Sequence, residues 1–594
     1  MKQKVADYIA DALYEKGIRH VFSVVGGGAM HLNNAFGCHP KLKCIYNHHE
    51  QASAIAAESY ARINGDVAVA CVTTGPGGTN AVTGVLCGYQ DNIPMLIISG
   101  QVRYNTTVES TGLNLRIFGE QEYNIVKSVE PMTKYAVMVR EPENIRYHLE
   151  KALYLAQEGR KGPCWLDIPL DVQSAEVETD TLRPFIPPNA PKAKMGALAD
   201  DILAAIKAAG RPVILAGSGV KAAGCTQALA ALVQRLGVPV LCPTSTCDIF
   251  PTSYPLYFGN FGTFGGRPGN FILQNADLFV SLGCRLSFKQ TGFNFEAFAP
   301  KAKKLVVDVD PDELKKNTIH IDFPVCADVK DVIGGLLEKA GPADKMNPKW
   351  LPYCRELKEK YPIYQPHQAN SEKVNPYYLA QRLKAVLPDD AILVVGNSCA
   401  SVSFLQMGVE KQGQLLYGNV NCGTMGYDLP AAIGAEVASR RPVFCLTGDG
   451  SIQMNLQELQ TIVHNRLPVK IVVFSNGGYQ AIVQTQTNFF EGHLSGCTND
   501  SGISFPDFEK LAAAYGIPFR RIASHDEVDP GLAWLVGEGG YALCEVMQDT
   551  LQPIEPKVMS RKLEDGSIYS PPLDDLAPFL PKEVYDYYKN YDFG

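Results

Sequence analysis

A chain of 594 residues is too long for one hydrophobic core, so its length implies three or four domains, each burying its own interior. With 46% hydrophobic and 20% charged residues, its composition is that of an ordinary globular protein, neither disordered nor membrane-resident. A net charge of −8 without long runs of one sign leaves no basic footprint for nucleic acid or anionic lipid.

In chain order, Val5, Ile9 and Leu13 recur four apart in MKQKVADYIADALYEKG, which predicts an amphipathic helix and no cleavable leader. Residues 1–178 then alternate helix-like segments with the short apolar runs VAVACVTT, PMLIISG and CWLDIPL. Continuous apolarity predicts strands buried on both faces, as in a parallel sheet covered by helices. TLRPFIPPNAPKAKM breaks the pattern with four prolines and reads as a linker. A second α/β region over 192–340 carries RPVILAGSG, VPVLCPTS, DLFVSLG and KLVVDVD, and a polar helical connector runs to about 370. The third region, 370–550, repeats the logic with AILVVG, PVFCLTGDG, VKIVVFSNGG and YALCEVM. The fold class is therefore α/β, with three doubly wound parallel-sheet domains. The tail, 551–594, has too many prolines for regular structure and is expected to wrap the body or cover a site. Sixteen cysteines lie in apolar stretches with no CxxC pair, so they read as buried thiols of a reducing compartment. No run of about 20 apolar residues exists to span a bilayer. The cytoplasm is the expected location.

The segment TGDGSIQMNLQELQTIVHNRLPVKIVVFSNGGY spells strand, sharp turn, helix and second strand. Leu456, Leu459, Ile462 and Val463 fall on one helical face. A right-handed crossover brings the carboxyl ends of both strands to the same sheet edge, where Asp449 and Asn476 can meet. A carboxylate, an amide oxygen and a nearby backbone carbonyl make a hard oxygen site suited to Mg²⁺ bridging a diphosphate. Glycines flanking Asp449 permit close approach, and the helix start after Ser451 offers free N–H groups to an anion.

This segment resembles the thiamine diphosphate signature, with Ser475-Asn476 where the family usually has two asparagines. Further segments resemble acetolactate synthase and its relatives in order across most of residues 1 to 550: GIRHVFSVVGGGAM, NHHEQASAIAAESYARINGDVAVACVTTGPGGTN, DNIPMLIISGQV, NADLFVSLGCR and CGTMGYDLPAAIGA. The resemblance implies pyrimidine-binding, central and diphosphate-binding domains, and active sites between two chains of a homodimer or homotetramer. It implies that Gly396, Asn397, Ser398, Gly423, Met425, Gly448, Asp449, Gly450, Ser451, Asn476 and Gly478 hold thiamine diphosphate, with Asp449, Asn476 and Gly478 on the metal. Met425 would prop the cofactor in its bent form, and Glu50 would protonate its aminopyrimidine ring. Apolar neighbours disfavour the charged form of a carboxyl, which suits that role, whereas the helix start by itself reads as a stabilised carboxylate. Gln121 is the second catalytic candidate. Gly27, Gly28, His49 and Glu120 line the substrate pocket by the same resemblance, while His48 and His49 read equally well as packed residues at a strand end. Gly283, Arg285 and Asp308 fall where the family contacts FAD, leaving bound FAD open.

The implied reaction takes a 2-oxo acid, pyruvate by preference, and a carbonyl acceptor. In acetolactate synthases a phenylalanine directly precedes Gln-Glu and lines the pocket for the small oxo acid; here that position is Glu120, before Gln121 and Glu122. A carboxylate there disfavours a second pyruvate and favours a neutral, hydroxyl-rich keto sugar. True acetolactate synthesis, simple decarboxylation, a solvent-facing Glu120 and a local shift of Phe118 remain as alternatives. A catalytically dead binding subunit is disfavoured by the joint presence of Glu50, Asp449 and Asn476.

Overall fold

The computed structural model describes residues 1–594 apart from 189–194, 344 and 563–564. Residues 189–194 of the expected linker therefore lie outside the described residues. Helix α1, Val5–Glu15, buries Val5, Ile9 and Leu13 as their spacing requires.

The first six-stranded sheet comprises β1 His20–Ser23, β2 Lys43–Tyr46, β3 Ala68–Val72, β4 Met95–Gln101, β5 Tyr135–Met138 and β6 Pro163–Pro169. The central sheet holds β7 Pro212–Ala216, β8 Val240–Pro243, β9 Tyr257–Phe261, β10 Leu278–Leu282, β11 Lys303–Asp308 and β12 Phe323–Cys326. The third is built from β13 Ile392–Val395, β14 Leu415–Gly418, β15 Val443–Gly448, β16 Val469–Ser475, β17 Phe519–Ile522 and β18 Ala542–Met547. Every pairing in the three sheets is parallel. The apolar runs form strands buried along their whole length in β3, β4, β6 and β15, because helices cover both faces.

Two topologies occur. The first and third sheets share one order, β2-β1-β3-β4-β6-β5 and β14-β13-β15-β16-β18-β17, whereas the central sheet runs β9-β8-β7-β10-β11-β12. In such sheets ligands bind beyond the carboxyl ends of the strands, where the order reverses direction. The reversal falls between β1 and β3, between β7 and β10, and between β13 and β15.

Helices α2, Glu50–Asn64, and α3, Pro76–Asp91, follow β2 and β3; α4, Asp428–Ser439, and α5, Glu458–Asn465, flank β15. One apolar cluster joins the first and third regions, with Ala54 and Ala57 of α2 packing with Leu429 and Ile433 of α4. Only glycine fits at 434, since a Cβ there would come within 2.1 Å of the Ala56 carbonyl oxygen. Buried polar groups cross the same seam. Glu458 accepts from Asn47 Nδ2 at 2.8 Å and from the His48 N–H at 2.9 Å, and Tyr427 donates to Glu58 at 2.7 Å.

Four expectations require correction. The connector contains helix Trp350–Lys360, which is not simply polar: it buries Trp350, Tyr353 and Leu357 in the core of the central region. The tail does hold regular structure, two short strand pairs and α6, Lys582–Lys589, because its prolines separate elements rather than interrupt them. It wraps the central region, where Arg267 and Asn270 donate to its carbonyls and Tyr588 is fully buried. The helix expected after the Gly-Asp-Gly turn is broken into a four-residue turn of helix at Asp449–Ile452, a 3₁₀ turn at Gln453–Asn455 and α5, leaving Leu456 outside. All sixteen cysteines are free, but Cys38 and Cys326 are exposed and Cys44, Cys399 and Cys422 only half-buried. Among the described residues no helix is long and apolar enough to cross a membrane.

Candidate active site

At the carboxyl edge of the third sheet, in-register pairing of Gly448 with Phe474 puts the turns after β15 and β16 side by side. Asp449 and Asn476 meet there: Asp449 Oδ2 accepts from the N–H groups of Asn476 at 2.9 Å and Gly477 at 2.7 Å, and Oδ1 accepts from Gly450. Asn476 Oδ1 accepts from the Gly478 N–H at 3.1 Å. Burial pushes the Asp449 carboxyl up to about 6, against the pull of those three N–H groups. A buried carboxylate with no side-chain cation beside it fits a bound cation, which would relieve the desolvation. Among the described residues no group of three or more His, Cys, Asp or Glu could hold a metal. A cation here would therefore rest on one carboxylate with amide and carbonyl oxygens.

The turn after β13 and the loop before α4 close on this edge. Asn397 Nδ2 donates to the Gly423 carbonyl, and the Ser398 Cβ lies 3.6 Å from where a Cβ on Gly448 would stand. Ser451 Oγ accepts from the Gly426 N–H at 2.9 Å. A Cβ on Gly450 would collide with the Tyr479 ring and lie 3.5 Å from the Met425 methyl. Gly396, Asn397, Ser398, Gly423, Met425, Gly448, Gly450, Ser451 and Asn476 thus share one cradle, whose missing side chains leave room for a polyanion.

The first sheet gathers a second set at its own carboxyl edge. Glu50 opens α2 and is buried, with Oε2 accepting from Asn80 Nδ2 at 3.0 Å. A Cβ on Gly77 would stand 3.6 Å from Glu50 Oε1 and 2.8 Å from the Thr73 methyl, and Thr73 Oγ1 accepts from the Gly28 N–H. Gly75 is left-handed, with φ +61°, and a Cβ there would come within 2.3 Å of the Gln121 carbonyl. Gln121 is itself left-handed, φ +60°, a conformation that costs energy for any residue but glycine. Glu122 braces this loop by accepting from the N–H groups of Val108, Phe118 and Gly119. His49 caps α2, its Nδ1 accepting from the Gln51 N–H at 3.1 Å, and His48 is exposed. Gly27, Phe118, Glu120 and Gln121 face outward in the single chain.

One hydrogen-bond path links the two edges. Gln51 Oε1 accepts from Asn455 Nδ2 at 3.1 Å, and the same amide donates to the Gly426 carbonyl at 2.7 Å. Sequence reasoning missed Thr73, Asn80, Asn455 and Glu458. The glycine-rich turn TTGPGGTN signals the first pair, but nothing local marks the other two.

Gly283, Arg285 and Asp308 lie at the carboxyl edge of the central sheet, yet their groups are engaged. The Gly219 N–H donates to the Gly283 carbonyl at 3.1 Å, Arg285 donates to Asn421 Oδ1 at 2.9 Å, and Asp308 accepts from the Asp310 N–H at 3.0 Å. These contacts tie the three residues to the protein's own loops.

Two glycine-lined edges on matching sheets, flanking in sequence a central domain of the second topology, define a class, and comparison with known families names it. Residues 3–117 match the N-terminal TPP binding domain of thiamine pyrophosphate enzymes, 199–336 their central domain, and 395–546 their C-terminal TPP binding domain. The chain is 31% identical over 581 residues to a probable chloroplastic acetolactate synthase 2 of Oryza sativa subsp. japonica, covering 94% of this chain and 85% of that one. It is 31% identical over 544 residues to the acetolactate synthase isozyme 3 large subunit of Escherichia coli, covering 89% and 91%. It is 32% identical over 537 residues to the acetolactate synthase large subunit of Corynebacterium glutamicum, covering 89% and 84%. The protein belongs to the thiamine diphosphate-dependent enzymes of the acetolactate synthase type.

Proposed function

We propose that this enzyme is a carboligase that moves a two-carbon unit from a 2-oxo acid, pyruvate by preference, to a carbonyl acceptor of the keto sugar class. The observation that carries the reading is the convergence of Asp449, Asn476 and the Gly478 backbone beside a glycine-lined cradle, with buried Glu50 on the neighbouring region. Thiamine diphosphate supplies the electron sink that lets a 2-oxo acid lose CO₂ and pass its remaining carbons on. Asp449, Asn476 and the Gly478 backbone would hold Mg²⁺ beside the diphosphate, the N–H groups after Gly448 would donate to its oxygens, and Met425 would support the bound cofactor. Glu50 holds the proton for the aminopyrimidine, kept in place by Asn80. Gln121, Gly27, Gly28 and His49 border the substrate, and Glu120 accepts hydrogen bonds from acceptor hydroxyls while repelling a second carboxylate.

Exposure of Val25, Phe118 and Glu120 around this edge supports a homodimer or homotetramer whose sites lie between chains. Two-carbon transfer moves no net electrons, so FAD has no role in the reaction itself. Free thiols in apolar settings support a cytoplasmic location. Domain limits near 178, 192, 340, 370 and 550 bracket the three sheets. A second reading, acetolactate formation from two pyruvate molecules, is favoured by the names of the relatives.

The test incubates the protein with thiamine diphosphate, Mg²⁺ and pyruvate, follows CO₂, and then adds candidate acceptors. CO₂ release accelerated by a keto sugar, with a ligated product, supports carboligation. Release with free acetaldehyde whatever acceptor is present overturns it in favour of a decarboxylase.

A further inference from the structure

Asp428 is fully buried, yet among the described residues it forms no ion pair, although a carboxylate is costly to bury. It is held by neutral donors alone: Oδ2 accepts from Ser451 Oγ at 2.6 Å and Oδ1 from the Leu429 N–H at 2.9 Å. Ser451 Oγ in turn accepts from the Gly426 N–H, which ties the loop before α4 to the turn after β15. On its other side the carboxylate fills the space left by Gly396, where a Cβ would come within 1.9 Å of Asp428 Oδ2. One side chain therefore meets two turns of the cradle directly, at Gly396 and at Gly448–Ser451, and the third, at Gly426, through the Ser451 hydroxyl.

We propose that Asp428 is a positioning residue that sets the spacing of these three turns and thereby the affinity of the cradle for diphosphate. It does not touch the cofactor. It fixes the Ser451 hydroxyl, whose lone pair then holds the Gly426 backbone, and it makes glycine obligatory at 396. The inference rests on the proposed placement of the diphosphate at the Gly448–Ser451 turn.

The experiment measures the Kd of thiamine diphosphate in the presence of Mg²⁺ by calorimetry, on the full chain, with melting temperature as a folding control. Asp428→Gly is expected to raise Kd at least tenfold. Asp428→Asn keeps an acceptor for Ser451 and is expected to stay within about threefold. Gly396→Ala pushes a methyl onto the carboxylate and should raise Kd in the native background, yet cost nothing further when combined with Asp428→Gly. That loss of additivity belongs to a contact between the two residues, and a general loss of stability would not produce it. Equal effects of Gly396→Ala in both backgrounds, or unchanged Kd in Asp428→Gly, overturn the proposal. Asp449→Ala separates the two failures: if it too leaves Kd unchanged, the diphosphate is misplaced, and if it alone raises Kd, only the role of Asp428 falls.

Discussion

Asn80 Nδ2 donates to Glu50 Oε2 across 3.0 Å, joining the first turns of α2 and α3 at the carboxyl edge of the first sheet. The bond leaves Oε1 of a buried carboxyl free to face a ligand. Glu50→Gln preserves the shape but cannot exchange a proton, so turnover should fall by at least a thousandfold while calorimetric cofactor affinity stays within a few-fold. A variant working near the native rate would remove Glu50 from the mechanism.

Asp449 supplies the one carboxylate of the proposed hard oxygen set. Asp449→Ala should abolish the Mg²⁺ dependence of thiamine diphosphate binding and weaken binding more than tenfold. Unchanged titrations with and without Mg²⁺ would show that the cation binds elsewhere.

Chains carrying Glu50→Gln and chains carrying Asp449→Ala should complement one another after subunit exchange. If each site takes Glu50 from one chain and Asp449 from the other, random mixing regenerates one intact site in the mixed dimer and restores about a quarter of native activity. Full activity in a monomer, established by light scattering at assay concentration, would rule the shared site out.

Glu120 is exposed beside Gln121, where it can meet an incoming acceptor. Glu120→Phe should shift product from sugar adduct toward acetolactate by tenfold or more, as measured by chromatography with pyruvate alone and with a keto sugar. Efficient acetolactate formation by the native enzyme, indifferent to any sugar, would refute the acceptor assignment.

Asp167 is fully buried in the first sheet, accepting from Ser99 Oγ at 2.6 Å and from Gln101 Nε2 at 3.1 Å. Burial pushes its carboxyl up to about 7, against those two bonds. The folded chain thus binds this proton more tightly than the unfolded one. The stabilisation is complete below about pH 4, fades as pH rises to 7 and is absent above, a difference on the order of 4 kcal/mol. Denaturant midpoints of native protein and Asp167→Asn, compared from pH 4 to 8, should converge on a smaller slope for the variant. Parallel curves would contradict this.

Much of this was legible in the sequence because strands and cofactor turns are local signals. Continuous apolar runs announced parallel strands, and Gly448-Asp449-Gly450 with Asn476 announced the edge at which those two residues meet. What stayed hidden depends on distant partners. Asn455 looks like one more polar residue in a helix until Gln51 and Gly426 converge on it, and the proline-rich tail gives no sign that Tyr588 will be buried against the central region. Glu120 is plain to read as a residue, but a single chain leaves its pocket open, so neither sequence nor fold fixes what it faces.

The bond between Asn47 and Glu458 spans 411 positions. During synthesis at about 5–20 residues per second, the turn preceding Glu50 emerges roughly 20–80 s before the carboxylate that clasps it. For that interval Asn47 Nδ2 and the His48 N–H lack the carboxylate they donate to in the finished fold. The clasp on the start of α2 is therefore timed by translation of the third region, and a ribosome stalled before residue 458 displays a first region without it.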